Sequence, residues 1–258
     1  MRGILAITKK ELKSFLYSPI AYMLTAFFLV VTGFFFYSIV GFVNDYVMRA
    51  MQYQQYQQVA QQININQLLY EPFFNNMTIV LMFLLPLLTM RLLSDEKRMR
   101  TEEMLLTSPL KISSIIIGKY LAALIVYAGI LLLTATFSVF IFIYGNPDPA
   151  PILVAYLGLF LIGAAFIAIG TFASSLTENQ IIAAVISFST ILLIWVISWA
   201  GEKAGPEWSG LLTYLSFLTH FQNMVKGVLD TQDLIYYLSF ISMGLYLSYS
   251  VYEFRKWR

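Results

Sequence analysis

Cysteine is absent from the 258 residues, and histidine occurs once, at His220. A disulfide framework and a Cys/His metal centre are thereby excluded, and no metal site is expected. Charge is scarce as well: Asp, Glu, Lys and Arg make up 12% of the chain, against about a quarter in soluble domains. Nucleophilic catalysis needs a base beside its nucleophile, and the one histidine sits in a polar outer segment where a hydrogen-bonding role suits it better. No acid pair lies inside an apolar run, which removes intramembrane protease chemistry. The eleven methionines are scattered, as packing residues are. The phosphate-cradling pattern G-x-x-x-x-G-K-[ST] is also missing. Gly118-Lys119 is followed by Tyr120, and Ser113 stands where the first glycine would be. The chain is expected to carry no catalytic residue, to bind no cofactor and to hydrolyse no ATP.

What is abundant is apolar: 59% of the residues are hydrophobic, and the mean hydropathy is +0.73. A bilayer-spanning helix needs about 20 consecutive apolar residues. Six stretches qualify: 19–43, 72–93, 115–144, 151–174, 179–200 and 233–252. The third is long enough to extend beyond the bilayer at one end. Pro86 is expected to kink the second. No Gly/Pro/Ser-rich linker and no internal repeat divides the chain, so residues 1–258 read as one all-α integral membrane domain. The basic start is followed by 31 uncharged residues, Ser14 to Asn44, longer than the apolar core of about 7–15 residues in a cleaved signal peptide. An uncleaved first span is expected.

Six spans put both termini on one side. With the termini inside, thirteen Lys and Arg fall on inner segments and three, Arg49, Lys203 and Lys226, on outer ones. Positive charge accumulates inside, so both termini are expected in the cytoplasm. Residues 208–225 are uncharged and nearly long enough to cross. They carry Ser, Thr, His, Gln and Asn throughout, and a seventh crossing would put the basic tail outside, so outer helices that re-enter or lie at the interface are expected. The outer stretch 51–67 holds eight glutamines in seventeen residues. The spacing of Tyr53, Tyr56, Ala60, Ile63 and Gln67 suggests a short helix continuing the first span, with prion-like disorder as the rival reading.

The inner face holds two further helices. Over residues 4–16, Ile4, Leu5, Leu12, Phe15 and Leu16 fall on one side and Arg2, Lys9, Lys10 and Lys13 on the other. Such a helix, with Glu11 beside its lysines, lies along the inner membrane surface. Seven of the thirty charged residues crowd between Asp95 and Glu103. There Thr101 can cap a helix, and Glu102 and Glu103 meet its positive end. Met104, Leu105 and Leu106 follow, Thr107 completes the helix over 101–107, and Ser108-Pro109 stops it. Two turns of helix are unstable alone in water. Either the segment is a solvated loop, or its Met and Leu side chains enter a groove on a soluble partner.

At these residues the chain resembles the ABC-2-type permeases. Their segment between the second and third spans is an acidic-basic run, Thr-x-Glu, two or three apolar residues, Thr-x-Pro, and Gly-Lys opening the third span. Here these are Thr101, Glu103, Met104 to Leu106, Thr107, Pro109, Gly118 and Lys119. Arg100 replaces the usual glycine before the threonine. Residues 9–22, a basic helix followed by Ser-Pro, and residues 220–238 match as well. Within the family the chain looks most similar to the permeases of the gliding-motility transporter and of nitrous-oxide reductase maturation.

The resemblance implies the transmembrane subunit of an ATP-driven exporter in the bacterial inner membrane. Two permeases, identical or paralogous, would pair with two ATPase subunits that bind the ATP. The helix at 101–107 would be the coupling helix seated in the ATPase, with the basic N-terminal helix beside it. The partners implied are the ATPases, a second permease and the bilayer; no nucleic-acid partner is expected. The rival reading, from the residues alone, is a membrane anchor that recruits a soluble protein without transport. The lack of charge within the spans favours a lipid, lipid-linked or protein cargo.

Overall fold

The computed structural model describes residues 2–52, 66–102, 104, 110–145, 147–203 and 205–256. Among these it contains ten α-helices, one π-helical turn (Asn66–Tyr70) and no strand. The helices are α1 (Arg2–Tyr17), α2 (Pro19–Gln52), α3 (Glu71–Thr89), α4 (Arg91–Arg98), α5 (Ile112–Gly145), α6 (Pro149–Leu176), α7 (Gln180–Lys203), α8 (Pro206–Leu215), α9 (Phe217–Val225) and α10 (Thr231–Lys256). Prolines open α2, α6 and α8, where a fixed φ helps and the missing N–H would be unpaired in any case.

Among the described residues six stretches are long and apolar enough to cross a membrane: Pro19–Arg49, Gln67–Arg98, Ile112–Ile143, Pro149–Leu176, Gln180–Gly201 and Thr231–Arg255. They agree with the six apolar runs to within a few residues at most ends. α2 and α5 have 34 residues each, about 51 Å at 1.5 Å per residue, well beyond a hydrocarbon core of about 30 Å. Residues 208–225 form no single long helix. They divide between α8 and α9 at Ser216, whose extended backbone lets its Oγ accept from the Leu218 amide at 3.1 Å. The expected short helix over residues 53–67 falls mostly outside the described residues.

α6 is the central post. α10, α7, α3, α9 and α5 all pack on it. Its span and that of α3 are mostly buried, whereas α2, α7 and α10 keep wide apolar faces exposed. At Gly170 of α6 a Cβ would fall 2.0 Å from Thr89 Oγ1, so glycine permits the close approach of α3.

The second span is not one helix. α3 runs through Pro86 to Thr89 without interruption. α4 begins at Arg91; Met90 between the two helices keeps a helical backbone (φ −51°, ψ −33°), and its amide donates to the Pro86 carbonyl at 2.9 Å. The helix thus runs on through Pro86, where a kink is expected from the sequence, and is interrupted only at Met90, four residues later.

Candidate functional site

Charge gathers at one end of the bundle, around α4. Lys119, near the start of α5, places Nζ 2.9 Å from Glu11 Oε1 of α1 and 2.9 Å from Glu96 Oε1 of α4. The lysine side chain is 4% exposed and the two acids 14% and 11%. One cation between two carboxylates, taken out of water, joins three helices that are remote in sequence. Gly118 makes this possible: a Cβ there would fall 2.9 Å from Ile7 Cβ. α1 therefore lies almost backbone to backbone on α5, and Thr8 Oγ1 donates across the seam to the Gly118 carbonyl at 3.1 Å. The Gly-Lys pair docks α1 and α4 on α5.

α1 differs from the single apolar side read in its sequence. It has two apolar stripes. Ile4, Ile7, Thr8, Glu11 and Phe15 face the bundle, and Glu11 turns inward to Lys119. Leu5 and Leu16 are exposed, as are Lys9, Lys10 and Lys13. The sequence reading grouped Glu11 with these lysines; the structure separates them.

α4 is fastened on its other sides too. Lys97 Nζ donates to the Ser175 carbonyl at the end of α6 and lies 5.3 Å above the Tyr252 ring of α10. Gln180 Nε2, at the start of α7, donates to Asp95 Oδ1. Arg91 donates to Ser18 Oγ at 2.9 Å, with its guanidinium 5.0 Å over Phe15. Three residues of the dense charge block, Asp95, Glu96 and Lys97, thus face neighbouring helices. Sequence reasoning missed this hub, apart from Lys119. Its one sequence signal is a cluster of charge at span ends in a chain that has little charge elsewhere.

Beyond α4 the chain turns sharply. Arg100 has φ 56°, its amide donates to the Lys97 carbonyl at 3.1 Å, and the Thr101 amide donates to the Glu96 carbonyl at 2.9 Å. These two bonds and the left-handed residue make a Schellman motif. Arg100 occupies the left-handed position that glycine fills most easily. Thr101 Oγ1 donates to the Glu96 carbonyl at 3.3 Å and so closes the helix before it. Glu102 Oε2 lies 3.5 Å from Arg255 Nη1 of α10, and Met104 is exposed. Of the proposed partner-contact residues, Glu103, Leu105, Leu106, Thr107 and Pro109 lie outside the described residues. A cavity of about 530 Å³ opens beside the hub, bounded by Lys10, Phe15, Arg91, Glu96, Met104 and Lys119.

The opposite end is stitched around His220, which is buried. Its Nε2 lies 2.9 Å from the Tyr214 carbonyl, which only accepts, so Nε2 carries a proton. Its Nδ1 lies 2.5 Å from Oδ1 of the buried Asp233, and the ring stacks on Tyr236 at 4.0 Å. One proton is shared between imidazole and carboxylate, and the pair is neutral as a whole. Tyr236 and Tyr237 hydroxyls donate to the Leu215 and Phe217 carbonyls at 2.6 and 2.9 Å. The start of α10 thereby satisfies the backbone of the α8–α9 break. This pair holds helices together.

Among the described residues there is no cluster of His, Asp and Glu able to hold a metal ion. Comparison with individually curated proteins finds no match. The sequence model of the ABC-2 family transporter proteins matches residues 5–253, nearly the whole chain. The six apolar helices and this match agree: the chain belongs to the ABC-2 transporter family, as a multi-pass membrane subunit that pairs with an ABC ATPase and is not itself the ATPase.

Proposed function

We propose that the chain is the permease subunit of an ATP-binding cassette exporter in the bacterial inner membrane, with both termini cytoplasmic. A separate ATPase engages residues 101–109, and a second permease, identical or paralogous, completes the path. The observation that carries this reading is the Lys119 bridge to Glu11 and Glu96. It ties α1, α4 and α5 into one unit at the charged end, and the proposed contact segment joins α4 to α5. A push on that segment is thereby delivered to three helices at once, and through Lys97, Gln180 and Arg255 to three further spans, α6, α7 and α10.

Two carboxylates support a basic partner. Glu96 Oε2 and Glu102 Oε1 are buried with no hydrogen-bond partner among the described residues. A Lys or Arg of the ATPase would satisfy them, and buried unpaired acceptors are costly to leave so. The exposed Lys9, Lys10 and Lys13 of α1 suit the anionic inner leaflet. The two short helices α8 and α9 read as outer helices that do not cross. Among ABC-2 permeases, those of gliding motility and nitrous-oxide reductase maturation remain the proposed nearest kin.

Purification of the chain from its native membranes under mild detergent tests the reading. An ATP-hydrolysing subunit is expected to accompany it in stoichiometric amount. Recovery of the chain with no such subunit, from cells that transport normally, would sink the proposal.

A further inference from the structure

The amphipathic pattern of α8 is inverted. At about 100° per residue, Trp208, Leu211, Tyr214 and Leu215 fall within an arc of about 120°, with Ser209 and Thr213 on the far side. The four apolar and aromatic residues are exposed, Trp208 at 63%, whereas Ser209 and Thr213 are half-buried. The hydroxyl side is turned to the protein. A Cβ at Gly201, near the end of α7, would fall 3.1 Å from the Thr213 amide nitrogen and 3.2 Å from Leu212 Cβ. Thr213 Oγ1 donates to the Ser209 carbonyl, so this hydroxyl is bonded within its own helix without water. A helix on a water-facing surface has the reverse order, with apolar residues to the core and polar ones outward.

The same seam sets the depth of α8. Gly201 lies against Leu212 and Thr213, so α8 runs beside the last turn of α7. α7 has 24 residues, about 36 Å at 1.5 Å per residue, slightly more than a hydrocarbon core of about 30 Å. Its last turn therefore stands at the boundary between acyl chains and headgroups. Trp199 is exposed there, and Trp208 and Tyr214 add two rings within about a turn of the seam. Tryptophan and tyrosine collect at this boundary because the ring is apolar and its polar tip reaches the wet side. Two bonds hold the arc outward. His220 Nε2 donates to the Tyr214 carbonyl at 2.9 Å, and the Tyr236 hydroxyl donates to the Leu215 carbonyl at 2.6 Å. A roll of α8 that buried the arc would break both.

We propose that α8 is a lipid-contact helix, with Trp208, Leu211, Tyr214 and Leu215 set among the glycerol and upper acyl segments of outer-leaflet phospholipid. The proposal rests on the outer placement of α8 given above and adds what covers the arc. Phospholipid suits both parts of that surface. Its acyl chains meet Leu211 and Leu215, and its ester carbonyls and phosphate accept from the Trp208 indole N–H, which only donates. The arc also lies at the depth where α7 turns Val196 and Trp199 outward. Through His220 and Tyr236 the contact is fixed to the start of α10.

The chain has four tryptophans. Trp195→Phe, Trp199→Phe and Trp257→Phe together leave Trp208 alone, and this variant is reconstituted in vesicles of phosphatidylethanolamine and phosphatidylglycerol. Lipids brominated high on their acyl chains are expected to remove most of the Trp208 fluorescence, and iodide on both sides of the membrane to remove little. Strong quenching by iodide with little by the brominated lipids places the arc in water and overturns the proposal. Quenching by neither means that protein, such as a second copy of the chain, covers the arc, and overturns it equally. Should the variant fail to fold, a spin label at Leu211→Cys in the otherwise unmodified chain, which has no cysteine of its own, decides. Its collisions with oxygen, which concentrates in lipid, are expected to exceed those with a water-soluble nickel chelate. Collisions dominated by nickel, or scarce with both, overturn the contact. Reporters at 206 and 230 that read opposite sides contradict the outer placement itself. Matching outer readings with a water-exposed arc contradict the lipid contact alone.

Discussion

The ammonium of Lys119 on α5 lies 2.9 Å from Oε1 of Glu11 on α1, a residue 108 positions away in the chain. The same ammonium holds Glu96, so deleting it leaves two buried acids without their counter-ion. Lys119→Met is expected to lower stability by about 3–5 kcal/mol, the usual effect of removing one partner from a buried ion cluster. The combination Lys119→Met with Glu11→Gln and Glu96→Gln is expected to regain most of that loss, because no uncompensated charge remains. Thermal unfolding of the detergent-solubilised chain checks both. A triple variant as unstable as the single one would show that the lysine stem, and not its charge, holds α1.

Arg100 adopts a left-handed backbone at φ 56°. That conformation costs a side-chain-bearing residue about 1–2 kcal/mol, part of which glycine returns as entropy in the unfolded chain. Arg100→Gly is expected to raise stability by about 0.5–1 kcal/mol, read as a higher Tm. An unchanged or lower Tm would mean that the Arg100 side chain has a compensating contact.

At the opposite end, His220 and Asp233 share one proton between Nδ1 and Oδ1. Asn at position 233 can offer an N–H to Nδ1 while Nε2 still donates to Tyr214. Asp233→Asn is therefore expected to be nearly neutral. His220→Ala leaves a buried carboxylate and the Tyr214 carbonyl unsatisfied, an effect of about 1–3 kcal/mol or more. Equal losses in the two variants would refute this protonation pattern.

The charge asymmetry makes a further demand. Cysteines introduced at positions 100 and 258 are expected to resist an impermeant reagent added to intact cells, and one at position 55 to react. Reporters fused at 206 and 230 are both expected to read as outer. Labelling of position 258 from outside would remove the six-span arrangement.

The six spans were legible because each is a long apolar run, and length and composition alone decide such helices. The division of residues 208–225 into short helices was legible from polar residues within an apolar stretch. The hub was not. Glu96 and Lys97 sit in a dense mixed-charge block that reads as a solvated surface, and their burial depends on Lys119, Ser175 and Tyr252 arriving from other helices. The inward turn of Glu11 was hidden for the same reason: on α1 it is adjacent to Lys10, and only docking on Gly118 faces it to Lys119. The interruption of the helix at Met90 also escaped, because the hydroxyl that takes the Leu93 amide, Ser174, arrives from α6.

The most direct measurement concerns the apolar residues between Thr101 and Pro109. Burying one leucine contributes about 1.5–3 kcal/mol relative to exposure. Leu105→Asp with Leu106→Asp removes two such contributions and adds charge, so ATPase affinity is expected to fall at least about a hundredfold at 1.4 kcal/mol per decade. Membrane insertion is expected to be unchanged, since no span is altered. Pull-down of the ATPase and ATP turnover of the reconstituted complex read the result. Loss of both, with the permease inserted at its normal level, is the expected outcome. Retention of the ATPase and of turnover at the level of the unmodified complex would contradict a coupling role for residues 101–109.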